Sequence, residues 1–136
     1  MAAFLNRYHQ VRVIPKQGWD DDISAVLFRL PGSGTIVVGV NAAHSPGRRN
    51  FSLAHELGHL VLGHRGYSVQ SRHPGVEREA DRFATEFLLP ERLLGAWCQQ
   101  FEVRAPGRLA QRIGLSRAMV ERRFVELGLA WPDSAG

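Results

Sequence analysis

The sequence predicts an α+β fold in which a small β-sheet comes first and helices follow. Two short apolar segments, Ala25–Leu30 and Thr35–Asn41, flank the turn residues PGSG and predict a β-hairpin. From Ser52 onward, apolar residues recur at helical spacing instead. A chain of 136 residues suits one domain, or one domain with a small appendage.

The segments around the hairpin are shorter and more polar. Residues 2–13 predict a short helix that runs into a strand, and Trp19–Asp22 (WDDD) predicts a loop. After the hairpin, Ala43–Asn50 (AHSPGRRN) contains Pro and Gly and predicts a second loop. Ser52 is then the expected N-cap of a helix, and Gly63 is the residue expected to end it.

Apolar spacing predicts four more helices in the second half of the chain. Val76–Leu89 forms the first of them, Pro90 ends it, and Glu91–Phe101 follows. After the linker VRAPGR, two short helices are predicted over Leu109–Ile113 and Arg117–Leu127.

The last two predicted helices have the pattern of a helix-turn-helix unit. Ala110, Gly114 and Val120 stand where such units favour a small residue, a turn glycine and a core aliphatic. Ser116 is the expected cap of the second helix. The basic residues of that helix that would contact DNA are Arg117, Arg122 and Arg123. The favoured alternative is a helical appendage packed on the rest of the protein.

Composition restricts the class of protein only broadly. The single cysteine, Cys98, excludes an internal disulfide bond. Together with the lack of a signal-peptide or membrane-spanning run, this indicates a cytoplasmic protein. The net charge of +4 permits binding to nucleic acid or to an acidic partner but demands neither.

The stretch FSLAHELGHLVLGH, Phe51–His64, contains the motif HExxH inside a predicted helix. Residues four apart lie on one helix face, so His55 and His59 can bind one Zn²⁺. Glu56 then lies beside the fourth coordination position, where it can act as general base on a water. Gly58 is small enough to let another element approach closely.

A catalytic zinc ion needs a third protein ligand. His64 is excluded by register, because the pattern HExxHxxGxxH needs Gly at position 62 and His at 65, where this chain has Leu and Arg. On the next predicted helix, Glu77 and Asp81 share one face, whereas Glu79 points away from it. Glu77 is therefore favoured over Glu79 as third ligand, and Asp81 is expected to orient a ligand histidine.

The paired motifs FSLAHELGHLVLGH and EREADRFATEFLLP resemble the ImmA/IrrE-type metallopeptidase family over at least Thr35–Pro90. The resemblance implies a minimal zincin-like domain over residues 1–103, with a small sheet packed on the HExxH helix and on a second ligand helix. Residues 104–136 would be a helix-turn-helix-like segment packed on that domain. Carried over position by position, the zinc ligands are His55, His59 and Glu77, the catalytic residue is Glu56, and Asp81 supports a ligand.

The resemblance also implies an activity. It predicts a zinc-dependent endopeptidase that cleaves a helix-turn-helix transcriptional repressor and so controls mobile-element or stress-response genes. An extended substrate is expected to join Thr35–Asn41 as an edge strand, at the residues Val38, Val40 and Asn41. The candidates for stabilising the oxyanion are His64, Tyr67 and His73. The alternative function is a DNA-binding or toxin–antitoxin regulator with a mainly structural zinc site, and DNA binding is the weaker prediction.

Overall fold

A computed structural model describes residues 10–64 and 73–131. Three strands, β1 (Val11–Lys16), β2 (Ala25–Arg29) and β3 (Ile36–Asn41), form one sheet in the order β1-β3-β2. β3 pairs in parallel with β1 and antiparallel with β2. The helices described below all follow the sheet in the sequence, so the predicted α+β class is confirmed. The short helix predicted to precede β1 lies outside the described residues.

The predicted hairpin is confirmed, because Ala25 stands opposite Val40 and Arg29 opposite Ile36. The prediction that β3 is an edge strand is wrong, since it carries a hydrogen-bonded strand on each side. Every residue of β3 is buried. A continuous apolar run with this burial is typical of a central strand that is covered on both faces.

The helix that carries the HExxH motif, α1, spans Pro46–Val61 and begins earlier than predicted. Ser45 is its N-cap: the serine hydroxyl accepts a hydrogen bond from the Arg48 N–H at 3.3 Å, and Pro46 follows in the first turn. The loop predicted over Ala43–Asn50 is therefore confirmed only as far as Ser45, and the N-cap predicted at Ser52 is wrong. Ser52 lies within the helix, where its hydroxyl donates to the Arg48 carbonyl at 2.9 Å.

The remaining helices each overlap a predicted one: α2 (Pro74–Leu88), α3 (Glu91–Gln100), α4 (Pro106–Ile113) and α5 (Arg117–Leu127). Both α2 and α4 begin at a proline, whose missing N–H is not needed in the first turn. The predicted cap of α5 is confirmed, because the Ser116 hydroxyl accepts from the Met119 N–H at 3.2 Å. Within residues 10–64 and 73–131, every helix is too short or too polar to cross a bilayer.

The chain divides into two compact units after Ala84. The core of the first unit lies between one face of the sheet and α1, with Leu27, Val38 and Leu53 at most 3% exposed. On the other face of the sheet, a Cβ added to Gly39 would lie 2.8 Å from the Trp19 ring. β3 is thus covered on both faces, and α1 packs against one of them.

The second unit has a separate core, formed by α3, α4, α5 and the segments beside them. Its buried residues are Leu89, Leu94, Cys98, Val103, Leu109, Ala110, Leu115, Val120 and Phe124. The division after Ala84 falls within helix α2 and does not coincide with the predicted domain boundary after residue 103. That domain boundary stays a prediction. The zincin-like packing and the helix-turn-helix character of the C-terminal segment also stay predictions.

Candidate metal centre

Two histidines of α1 and one glutamate of α2 converge on one point. Nε2 of His55 lies 2.8 Å from one carboxylate oxygen of Glu77 and 3.0 Å from Nε2 of His59. Nε2 of His59 lies 3.2 Å from the other Glu77 oxygen. One ligand atom from each of the three residues lies within 4.8 Å of the others, so this metal cluster of His55, His59 and Glu77 could hold an ion.

Asp81 binds the other ring nitrogen of His55. Its Oδ1 lies 2.7 Å from His55 Nδ1. A carboxylate can only accept, so Nδ1 carries a proton, and Nε2 would direct its lone pair at a metal ion bound in the cluster. Burial lowers the pKa of His55, but the hydrogen bond to Asp81 and the charges of Glu56, Asp81 and Glu77 together raise the pKa above its ordinary value.

The donor set of the metal cluster fits a zinc-like cation. Two imidazoles and one carboxylate are a ligand set found in catalytic zinc sites, which use three protein ligands. Nε2 of His55 faces a carboxylate oxygen only 2.8 Å away, a contact that a proton bridges in the metal-free protein and that a bound cation could replace. Zinc–ligand distances of about 2.0–2.2 Å place tetrahedral ligand atoms roughly 3.3–3.5 Å apart. The ligand atoms of the metal cluster would reach that spacing by moving slightly apart.

Glu56 lies beside the metal cluster at the wall of a cleft of about 450 Å³. The Glu56 side chain is almost fully buried, with the residue 2% exposed. The cleft is also lined by His55, Glu77, Asp81, Phe51, Ser52 and the segment Asp22, Ile23, Ser24 and Ala25. A carboxylate that lines a cleft next to a metal cluster is suitably placed to accept and return a proton.

The cleft is bordered by β2, not by β3. Ala25, the first residue of β2, and the three residues before it line the cleft. Val38 and Val40 of β3 are buried in the core of the first unit, so the prediction that they bind substrate is wrong. β2 is an outer strand of the sheet within the described residues, and it is therefore the edge that an extended peptide could join.

Asn41 anchors the loop that lines the cleft, which is a different task from the substrate contact predicted for it. Its side-chain amide donates to the carbonyls of Asp20 at 3.1 Å and Ile23 at 2.9 Å. Its Oδ1 accepts from the Ala43 N–H at 3.0 Å. Asn41 is 1% exposed, so these bonds satisfy a buried amide and fix the loop at the end of β3.

Two basic residues add to this anchor. Nε2 of His44 lies 2.8 Å from the Asp21 carbonyl oxygen, and Arg48 donates to the same oxygen at 2.9 Å. This anchor was not predicted from the sequence. The available signal was the polar cluster N-A-A-H directly after an apolar strand, which places an asparagine and a histidine at the end of the sheet.

The three oxyanion candidates have different surroundings. His64 has both ring nitrogens engaged, because Nδ1 lies 2.9 Å from His59 Nδ1 and Nε2 lies 2.7 Å from a Glu79 oxygen. It therefore has no N–H left to offer to an oxyanion. His73 precedes α2, and its Nδ1 accepts from the Gly75 N–H at 3.0 Å. Tyr67 lies outside the described residues.

Close packing at Gly58 sets the distance between the two ligand helices. A Cβ added there would lie 3.0 Å from Phe83 Cδ1 and 3.2 Å from the Ala80 carbonyl oxygen. The predicted close approach of another element at Gly58 is therefore confirmed, and that element is α2. A larger residue at this position would require Phe83 or the backbone of α2 to shift.

The chain is similar to a known protein family and to a solved structure. The family model Peptidase_M78, described as IrrE N-terminal-like domain, matches residues 6–125. A transcriptional regulator of Mycobacterium tuberculosis has a similar solved structure, with a TM-score of 0.62 at 23% sequence identity. The similarity covers 90% of this chain and 38% of the regulator, and at this identity it shows a shared fold alone. No curated protein matches the chain.

Proposed function

The chain belongs to the Peptidase_M78 family of IrrE N-terminal-like domains, and on that basis we propose that it is a zinc-dependent endopeptidase. One observation carries the proposal. His55, His59 and Glu77 converge beside Glu56 at the wall of an open cleft. This is the arrangement needed to hydrolyse a peptide bond with a metal ion and one general base.

Each polar residue of the site has a distinct task in this mechanism. His55, His59 and Glu77 would hold one zinc ion, whose chemistry is to polarise the scissile carbonyl and to lower the pKa of a water. Glu56 would accept a proton from the attacking water and return it to the leaving amine. Asp81 keeps the Nδ1–H of His55 turned outward, so that the Nε2 lone pair faces the metal cluster.

The cleft supports an extended peptide as substrate. Its wall contains Ile23, Ser24 and Ala25, so the main chain of a peptide could pair with the start of β2. Tyr67 and His73 remain the candidates for an oxyanion contact. The family resemblance supports a helix-turn-helix repressor as the protein cleaved, with control of mobile-element or stress-response genes as the result. The fold likeness to a transcriptional regulator agrees with a place in gene control.

The alternative function, a DNA-binding or toxin–antitoxin regulator, has less support. Two of the three arginines proposed to contact DNA make contacts inside the second unit. Arg117 pairs with Glu121 at 2.7 Å, and Arg123 donates to the Leu89 carbonyl at 2.9 Å. That leaves Arg122, and one arginine provides little positive charge for binding a phosphate backbone. This alternative predicts salt-sensitive DNA binding and no dependence of activity on Glu56.

Metal analysis and a cleavage assay test the proposal together. We expect one zinc ion per purified chain, and cleavage of a helix-turn-helix repressor encoded beside its gene. Glu56→Gln is expected to keep the zinc and to cleave about 10²–10⁴-fold more slowly, because the general base is lost. The control Glu126→Gln makes the same chemical change at an exposed position of α5 and should cleave like the wild type. Cleavage by Glu56→Gln at the wild-type rate would refute the mechanism.

A further inference from the structure

Two residues that are not ligands reach the metal cluster through His59. We propose that Glu79 and His64 act in series as positioning residues that fix the ring of His59 for metal binding. The inference rests on the proposed metal site, and it goes beyond the proposed function by adding a support for the second histidine. Asp81 already supports the first histidine, His55, by direct contact.

The distances define a chain of three side chains. Nε2 of His64 lies 2.7 Å from Oε2 of Glu79, and Nδ1 of His64 lies 2.9 Å from Nδ1 of His59. The opposite nitrogen of His59, Nε2, faces His55 and Glu77. The His59 side chain is 1% exposed and that of His64 is 11% exposed, so two of these three side chains are shielded from water. Buried polar contacts of this kind hold their geometry more firmly than exposed ones.

Proton placement follows from the carboxylate at the outer end. Glu79 can only accept, so Nε2 of His64 carries the proton that joins them. Nδ1 of the neutral His64 ring is then an acceptor, and the proton between the two rings must belong to Nδ1 of His59. Nε2 of His59 is left with its lone pair, directed at the metal cluster. Glu79 thus selects, through His64, the tautomer of His59 that can bind a metal.

The end of α1 explains why His64 lies against His59. Leu62 is the C-cap, and Gly63 follows in the left-handed conformation with φ of 70°. The chain reverses there, and the His64 N–H donates to the His59 carbonyl at 3.0 Å. This is the six-to-one bond of a Schellman motif, which brings the residue after the glycine back onto the last turn. The sequence HLVLGH therefore encodes both a helix end and the position of a second imidazole.

The same geometry excludes His64 as a metal ligand. Its ring nitrogens face Glu79 and His59, and neither faces the point at which the three ligand atoms converge. The two rings meet at an angle of 64° with their centroids 5.1 Å apart, which is edge-on contact. Rotation of the His59 ring would break the contact between the two Nδ1 atoms. The contact therefore resists a rotation that would turn Nε2 away from the metal cluster.

Zinc affinity of the full-length chain tests the proposal, measured by competition with a chromophoric chelator. His64→Leu and Glu79→Ala are each expected to weaken zinc binding by about 10–100-fold, the usual loss when an outer partner of a metal ligand is removed. His64→Gln should recover most of the affinity, because its amide oxygen can accept from His59 Nδ1–H. Glu126→Ala, an exposed glutamate of α5, is the matched control and should bind zinc like the wild type.

Two further readouts separate positioning from mere support of the fold. Because Glu79 acts through His64, the effects of the two substitutions should not add. The double variant Glu79→Ala, His64→Leu should have the same zinc affinity, within about twofold, as whichever single variant binds zinc less tightly. In zinc-loaded wild type, we expect a ¹⁵N–¹⁵N coupling between the Nδ1 atoms of His59 and His64, and its loss in Glu79→Ala. The Glu79 side chain is 64% exposed, so Glu79→Ala should fold even if His64→Leu does not.

The results distinguish this inference from the proposed function. Wild-type zinc affinity in both Glu79→Ala and His64→Leu, or a coupling that Glu79→Ala leaves intact, would overturn the inference and leave the peptidase proposal standing. A wild type that binds zinc tightly and depends on Glu79, yet cleaves no repressor, would reject the proposed function and retain the inference.

Discussion

Replacing Gly58 with alanine is expected to destabilise the protein, although alanine favours helices over glycine. The helix-propensity gain is about 0.8–1.0 kcal/mol. Against it, the new methyl group would lie 3.0 Å from Phe83 Cδ1 and 3.2 Å from the Ala80 carbonyl oxygen. The phenyl ring can move, but the carbonyl belongs to the backbone of α2, and overpacking of this kind costs about 1–3 kcal/mol. The free energy of unfolding should therefore fall by roughly 1 kcal/mol, the difference between these opposing effects.

Gly95→Ala is the matched control, because a Cβ added to Gly95 in α3 would meet nothing within 4 Å. That variant should be stabilised by about 0.8–1.0 kcal/mol through helix propensity alone. Urea unfolding of the metal-free variants, followed by circular dichroism, gives both values. Zinc affinity should fall in Gly58→Ala, because α2 moves Glu77 away from the histidines, and stay unchanged in Gly95→Ala. If Gly58→Ala stabilised the protein as much as Gly95→Ala, the tight packing of α1 on α2 would be refuted.

Three further predictions concern pH, thiol chemistry and the cleft loop. The raised pKa of His55 adds stability to the metal-free protein below the ordinary value of 6.5, and this stability is lost as the pH rises through the raised pKa. Urea unfolding should therefore show a fall in stability across that range which His55→Gln lacks. Burial raises the pKa of the Cys98 thiol, so a disulfide reagent should react with it only as fast as the protein opens, and faster in urea. Asn41→Ala should cost about 1–3 kcal/mol of stability and raise KM more than it lowers kcat, because the loop carbonyls lose their donor; equal effects on both constants would contradict a loop-positioning role.

Local sequence patterns predicted much of the fold. The hairpin and the helices were predictable because apolar spacing and turn residues act over short distances, as in the run TIVVGV and in α5 with its cap at Ser116. The start of α1 could not be predicted in this way, because the residues SPG are equally typical of a turn and of a serine cap followed by a first-turn proline. Packing against the sheet decides between these two outcomes, and periodicity does not contain that information.

The candidate site was predictable in its centre and not at its margins. His55, His59, Glu77 and Asp81 meet because helical spacing of four residues fixes which side chains share a face. The order of the strands was not predictable from local patterns, since a buried apolar strand can pair on one side or on both. The contact of His64 with Glu79 was missed for a similar reason. It depends on the chain reversal at Gly63 and on how α1 lies against α2.

Three of the four carboxylates of α2 act at increasing distance from the point where the metal ligands converge. Glu77 belongs to the metal cluster, Asp81 lies one hydrogen bond outside it, and Glu79 lies two contacts outside it, behind His64. All three belong to one rigid helix, so a displacement of α2 relative to α1 would disturb every one of them at once. A change at Gly58 should therefore weaken zinc binding more than the loss of Asp81 or Glu79 alone, although Gly58 contributes no ligand atom. If Gly58→Ala weakened zinc binding less than Glu79→Ala, the spacing of the two helices would not be what controls the site.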